Sequence, residues 1–353
     1  MMNHLSDRQH KILQFIQTQA SVSNSDIRLF FDKAGESVSR ITIIRDLEKL
    51  VQAKEIRKEG AGRNVRYWAK KSSLLLRYID PGSYFNVDVD NRDSLSTFNF
   101  EIFACFSSPI FTEVENQKLQ SLTQRYQKNR AEMSADVIQK ETERLTIELS
   151  WKSSQIEGNT YSLLDTEALI KEQREAPGHA KEEALMILNH KEAIDYILSH
   201  PQDYQKMSLK KIEDIHRLLI QKLPGVHHGI RSSLVRIIGT NYRPLDNIHQ
   251  LKESLERTVL VINSCENVFQ KALSGISLIS YIQPFVDGNK RTARLIGNAL
   301  LHSNHACPLS YRSVDSVEYK KAMLLFYEKN SLNYLKELFM SQYEFSVRNY
   351  FSI

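Results

Sequence analysis

Cysteine is scarce in this chain. Only Cys105, Cys265 and Cys307 occur in 353 residues. An odd number so widely spaced builds neither a disulfide framework nor a zinc site, and it fits a reducing, cytoplasmic setting. Long apolar runs are missing too. No stretch approaches the ~20 residues that cross a bilayer, and Met1 to Lys11 lack the apolar core of a signal peptide. No internal repeat is visible. Charge of one sign does not accumulate either: the net charge is +5, too small by itself to imply nucleic acid. What remains is an ordinary globular composition, 41% hydrophobic and 25% charged, in a chain long enough for two or three domains.

One stretch concentrates chemistry: Tyr281-Ile282-Gln283-Pro284-Phe285-Val286-Asp287-Gly288-Asn289-Lys290-Arg291-Thr292-Ala293-Arg294. It reads as a short loop opening onto a helix. Gly288 permits a tight turn and close approach of a ligand. Ala293, Ile296 and Leu300 then follow at helical spacing. The first turn of a helix offers free N–H groups and a positive dipole end. Lys290, Arg291 and Arg294 add fixed charge there, and the two arginines, three apart, share a face. Asp287 can hold a hard cation against phosphates. Together these residues suit a polyphosphate with a metal ion, although a Gly-Asn turn before a basic helix is also a common structural feature.

In this order the residues resemble the signature of the Fic family, His-Pro-Phe-x-Asp/Glu-Gly-Asn-Gly/Lys-Arg-x-x-Arg. The resemblance implies a mainly helical protein that binds ATP and Mg2+ at this loop and transfers AMP to a hydroxyl of a target protein. It implies Asp287 as the metal ligand, Gly288, Asn289, Lys290 and Arg291 as the anion nest, and Arg294 as the γ-phosphate partner. The chain departs from the pattern at Gln283, where the family has a histidine acting as general base. A glutamine amide cannot take up a proton near neutral pH, and general base catalysis is worth roughly 100- to 10,000-fold. Nucleotide binding is therefore expected to persist and transfer to be impaired.

A second motif, Ser153-Ser154-Gln155-Ile156-Glu157-Gly158, ends a helix that opens at Ser134. It resembles the family's inhibitory motif, Ser/Thr-x-x-x-Glu-Gly/Asn, which implies that Glu157 pairs with Arg294. A bidentate Arg–carboxylate pair fills the space of a γ-phosphate. The alternative is a helix end capped by Gly158 with Glu157 on an exposed rim.

The N-terminal region predicts three helices, near Ser6–Ile16, Ser25–Phe31 and Ser37–Ala53. In the third, Ile41, Ile44, Leu47 and Leu50 or Val51 are expected to be buried. A strand, a glycine-rich tip and a strand follow over 55–68. Residues 37–71 hold ten Lys or Arg against four Asp or Glu. This resembles a winged helix-turn-helix, which implies DNA binding through Arg40 and Arg45 of the third helix and Arg63 and Arg66 of the wing. A module for protein contacts or dimerisation is the alternative.

The expected organisation is a winged helix over 1–72, a connector over 73–97 with a turn at Asp80-Pro81-Gly82, and a Fic domain over 98–345 that includes the inhibitory helix 134–159. Within that body, His216 falls in an apolar stripe and reads as structural. The β-branched stretch around Val235, Arg236 and Ile237 looks like the family's flap, a small β-hairpin that holds the target segment. Tyr311 and Tyr319 either flank the adenine or pack in the core. The fold class is thus mainly α with one small hairpin flap and an N-terminal winged helix. A homo-oligomer is expected, and a DNA-binding regulator whose helical body senses nucleotide or oligomerises is the alternative function.

Overall fold

The computed structural model describes residues 5–19, 21–53, 55–60, 62–69 and 74–352, without the side chains of Gln17, Thr18, Arg63 and Ala69. The chain divides into two compact units, one up to Tyr78 and one from Ile79 onward.

The first unit consists of α1 (Asp7–Thr18), α2 (Asn24–Lys33), α3 (Arg40–Gln52) and the antiparallel strands β1 (Ile56–Glu59) and β2 (Arg66–Ala69). Ser6, Ser23 and Ser39 cap the three helices by accepting the N–H three residues on. The capping hydroxyl at Ser39 fixes the start of α3, and its apolar stripe gives it an inward face. That face is Ile43, Leu47 and Leu50, packed with Ile12, Ile16, Ile27 and Phe31. Ile41, expected inside, is instead 64% exposed, beside the exposed Arg40 and Arg45. Asp46 is buried on the inward side and takes bonds from Arg8 Nε at 2.6 Å and Gln9 Nε2 at 2.8 Å. These bonds compensate a carboxylate taken from water. The side chain of Arg63, expected at the wing tip, lies outside the described residues.

The second unit is helical. It opens with α4 (Pro81–Phe85) and α5 (Ile102–Cys105), then α6 (Glu113–Glu132), α7 (Ala135–Ile156), α8 (Leu163–Glu172), α9 (Lys181–Ser199) and α10 (Leu209–Ile220). It closes with α11 (Ile248–Ser264), α12 (Val268–Ile282), α13 (Asn289–Ser303), α14 (Ser316–Lys329) and α15 (Asn333–Asn349). The expected turn at Asp80-Pro81-Gly82 is in fact the start of α4. Asp80 caps it and Pro81 occupies its first turn, where a missing N–H costs nothing. The segment before α5 is tied to the body at buried Glu328, whose side chain accepts from Tyr84 Oη at 2.6 Å and whose carbonyl accepts from Leu95 N at 2.7 Å.

The helices α12 and α13 form the centre, almost wholly buried. They approach closely because Gly297 has no side chain: a Cβ there would lie 2.6 Å from Ile276 Cγ1. The five residues and glycine between them, 283–288, are consequently held at the end of a closely packed, buried helix pair.

The hairpin expected around 234–245 is not formed. Residues 229–247 run as an irregular loop without strands, touched by one isolated bridge, Thr97 to Arg243. Leu234 is 68% and Ile238 97% exposed. Pairing needs a partner strand, and neither side of this loop supplies one. No helix among the described residues is long and apolar enough to cross a membrane.

Candidate nucleotide site at the start of helix α13

The loop 283–288 is built by short-range chemistry. α12 ends at Gln283, which adopts the left-handed conformation (φ 51°), and Pro284 cannot continue the helix. The Gln283 side chain is buried, its Nε2 donating to the Ser280 carbonyl at 2.6 Å. Asn289 clamps the loop from within: its Oδ1 accepts from Phe285 N and its Nδ2 donates to Phe285 O, each at 2.8 Å. Gly288 also sits at positive φ (77°), the αL region that favours glycine, and starts α13.

His216 supports this loop from beneath. Its ring stacks on Phe285 with centroids 3.6 Å apart, and its Nε2 is 3.0 Å from the Asp287 carbonyl. Since that carbonyl only accepts, Nε2 carries the proton. Burial pushes the imidazole pKa down to about 4 against the opposing pull of that bond, so the ring is neutral. His216 is structural, as its apolar stripe suggested, and what it structures is the loop.

At the N-terminus of α13 three cations meet two carboxylates. Arg291 is 1% exposed; one terminal nitrogen holds Asp287 at 2.7 Å. Its Nε and the other terminal nitrogen are buried with no partner among the described residues. Buried guanidinium N–H groups are costly when unpaired, and Arg291 belongs to the first turn of α13, where helix amides have no partner within the helix. Asp287, by contrast, keeps about half its side chain exposed, 53%.

Arg294, fully buried, is held twice by Ser153: Nε to the hydroxyl at 2.9 Å and one terminal nitrogen to the carbonyl at 2.8 Å. The remaining nitrogen holds Glu157 Oε1 at 2.9 Å. Lys290 Nζ takes the other oxygen, Oε2, at 2.7 Å. Glu157 is thus gripped by one cation on each oxygen. Burial pushes its carboxyl up, but Arg294 and Lys290 outweigh that and bring it down to about 2. His190, buried 2.8 Å from the Ser153 hydroxyl, is held well below its ordinary pKa by burial and by Arg294 and Arg291. It adds no further charge.

The Glu157 shift carries a sign. Its folded pKa, about 2, is depressed from 4.5. It therefore contributes stability above pH ~4.5, lost as pH falls toward ~2, on the order of 3 kcal/mol in full. In urea unfolding, wild type is expected to exceed Glu157→Gln at pH 6, with the gap closing steadily below pH 4. A gap independent of pH would remove Glu157 from the ion pair.

Sequence reading placed 283–294 and Glu157 in one site, and the structure brings them together. It gives Lys290, read as a phosphate ligand, a present partner in Glu157. Tyr311 and Tyr319 are both buried, near-perpendicular to each other, with the Arg294 guanidinium 6.0 and 5.4 Å from their ring centres. They pack Arg294 and are not open to a base. Val235, Arg236 and Ile237 lie on the irregular loop, Arg236 exposed and its neighbours partly so. Ser153's double hold on Arg294 and the His190 contact went unread; the only signal was the motif position of Ser153.

Comparison with known proteins agrees with this geometry. Residues 206–301 match the family model described as Fic/DOC family. A protein adenylyltransferase Fic from Nematostella vectensis is 30% identical over 179 residues, 48% of this chain and 40% of that protein. One from Drosophila melanogaster is 30% identical over 149 residues, 41% of this chain and 30% of that protein. The chain thus spans under half the length of these curated relatives. Among solved structures, Fic-1 (residues 134–508) of C. elegans gives a TM-score of 0.56 at 18% identity, covering 67% of this chain and 71% of that one. A Fic domain containing signaling protein from Bacteroides thetaiotaomicron gives 0.54 at 17% identity, covering 66% and 96%. The fold is the mainly helical one of these Fic structures.

Proposed function

We propose that this chain binds ATP with Mg2+ at the start of α13, is restrained by Glu157, and transfers AMP to a protein hydroxyl poorly because Gln283 stands at the base position. The observation that carries this reading is the Arg291 guanidinium, buried with two nitrogens unpartnered at a helix N-terminus. An anion is the group that completes it. The relatives named protein adenylyltransferase support AMP transfer as the chemistry.

The residues fit the nucleotide and its ion. Arg291, the first-turn amides and Lys290 would bind phosphate oxygens. Arg294 would hold the γ-phosphate with the nitrogen that now holds Glu157. Mg2+ is usually bound by one or two carboxylates together with substrate phosphates. Asp287 is the half-exposed carboxylate at hand, and no group of three potential metal ligands occurs among the described residues. The ion would neutralise phosphate charge. Glu157 excludes the γ-phosphate by position and by charge. Gln283 can orient an acceptor hydroxyl but cannot remove its proton. Calorimetric titration with ATP-Mg tests the reading: Glu157→Gly should bind more tightly than wild type, and Arg291→Ala should not bind measurably.

A second reading concerns the first unit. Arg40 and Arg45 stand exposed on α3 with Lys49, and none of the three has an ion-pair partner among the described residues. Arg66 is partly engaged, 3.9 Å from Asp26. A winged helix-turn-helix that lays α3 in a major groove uses such free cations on phosphates. Arg40→Ala with Arg45→Ala is expected to weaken duplex DNA binding about uniformly across sequences and to reduce the slope of log K against log salt by about 2. Unchanged retardation in a gel-shift series would assign α3 to protein contacts.

A further inference from the structure

We propose that Arg231 is a positioning residue: it fixes the backbone at residue 283, the position proposed for the base, to both ends of the exposed loop 232–245. The loop is irregular and largely open to solvent, yet Arg231 at its start is 3% exposed. Its guanidinium bonds no carboxylate among the described residues. Nε donates to the Gln283 carbonyl at 2.7 Å. One terminal nitrogen donates to the Ser233 carbonyl at 2.6 Å, and the other to the Leu245 carbonyl. Its own backbone N–H donates to the Pro284 carbonyl at 3.0 Å. One side chain thus ties together the first turn of the loop, its last buried residue and the helix end opposite the phosphate site.

The cost of that arrangement argues for a purpose. Burying a guanidinium without a counter-ion is unfavourable, and burial pushes the Arg231 pKa down against the more distant pull of Asp246. Three carbonyls repay part of the desolvation. What they secure is a left-handed Gln283, φ 51° and ψ 58°, a conformation disfavoured for any residue with a Cβ. Its carbonyl could rotate away if nothing held it. Past its middle, loop 232–245 is held by Arg92, which donates to the Gly239 carbonyl at 3.1 Å, by Arg243 N, which donates to the Ser96 carbonyl at 3.0 Å, and by buried Tyr242, whose hydroxyl donates to the Tyr281 carbonyl at 2.8 Å; at its start the side-chain anchor is Arg231. No Arg231 bond reaches Lys290, Arg291, Arg294 or Glu157. Arg231 therefore governs the acceptor side of the site and leaves the nucleotide side alone.

The test is Arg231→Lys, which keeps the charge but cannot span three carbonyls, with Arg231→Gln as a second variant. Its effect on transfer presupposes the AMP-transfer reading, whereas its effect on backbone protection does not. In the Gln283→His background, Arg231→Lys should lower kcat for AMP transfer by about a hundredfold, the scale of a misplaced acceptor, with the ATP-Mg Kd unchanged within about twofold. In the otherwise native chain, amide exchange at 283–285 and 231–243 should quicken at least about tenfold in both variants, a loss of local protection, while 289–303 stay as protected as before. A merely structural Arg231 would lower kcat and ATP affinity together and loosen 289–303 as well. That result, or unchanged exchange at 283–285, overturns the proposal. If Gln283→His alone transfers nothing while exchange behaves as expected, the positioning role stands and the transfer reading falls.

Discussion

Gln283→His combined with Glu157→Gly is expected to raise AMP transfer to protein by roughly 100- to 10,000-fold over the native chain. The two changes remove different obstacles. Gln283 lies in the left-handed turn that ends α12, its amide bonded to the Ser280 carbonyl. An imidazole there occupies similar space and has an ordinary pKa near ~6.5, so it can take a proton at neutral pH. Glu157→Gly frees Lys290 and the outer nitrogen of Arg294. Labelling with radioactive or clickable ATP in a lysate reads the outcome. Gln283→His alone should gain less, because the phosphate position remains occupied. If the double variant folds, binds ATP and still labels nothing, the base at 283 is not what the chain lacks.

Arg294→Ala is expected to cost stability by about 3 to 5 kcal/mol, the usual penalty for removing one partner of a buried pair. Three bonds disappear at once, to the Ser153 hydroxyl, the Ser153 carbonyl and Glu157. Glu157 is left with Lys290 alone. Arg294→Lys should recover only part of the loss, since an ammonium cannot span α7 from Ser153 to Glu157. Ser153→Ala removes two hydroxyl bonds, to Arg294 Nε and to His190, and should cost about 2 kcal/mol. Urea unfolding at neutral pH measures all three. A loss under about 1 kcal/mol for Arg294→Ala would mean that the grip of α7 on α13 stabilises nothing.

The parts of this molecule that were legible in sequence are those set by neighbours. Helix α1 starts where its Ser6 cap puts it. The helix α13 and its cationic first turn follow from Gly288 and the apolar spacing behind it. The Glu157–Arg294 pair, 137 residues apart in the chain, was legible only through resemblance to a family. Its physical chemistry does not reveal which of many carboxylates meets which arginine.

The misreadings share one cause. Ile41 and Ile43 differ by two positions on α3, and only the packing of Ile43, Leu47 and Leu50 on the other helices decides which faces in. The β-branched run 234–238 has strand composition, but a strand also needs an edge to pair with, and composition is silent on that. Asp80-Pro81-Gly82 serves a turn or a helix start equally well, until the residues after it pack. Arg231 carries no local signal at all. Its partners are carbonyls, which every residue has, brought together by the fold. Lys290 illustrates the same limit: its role as a second clamp on Glu157 depends on where α7 ends relative to α13.

Titration of ATP-Mg into the native chain, Glu157→Gly and Arg291→Ala tests most directly whether an anion site at the start of α13 is filled by the protein's own carboxylate. Freeing that site should tighten binding at least about tenfold in Glu157→Gly, worth ~1.4 kcal/mol or more, and Arg291→Ala should give no measurable heat. Equal affinities for the native chain and Glu157→Gly, or undiminished binding by Arg291→Ala, would contradict it.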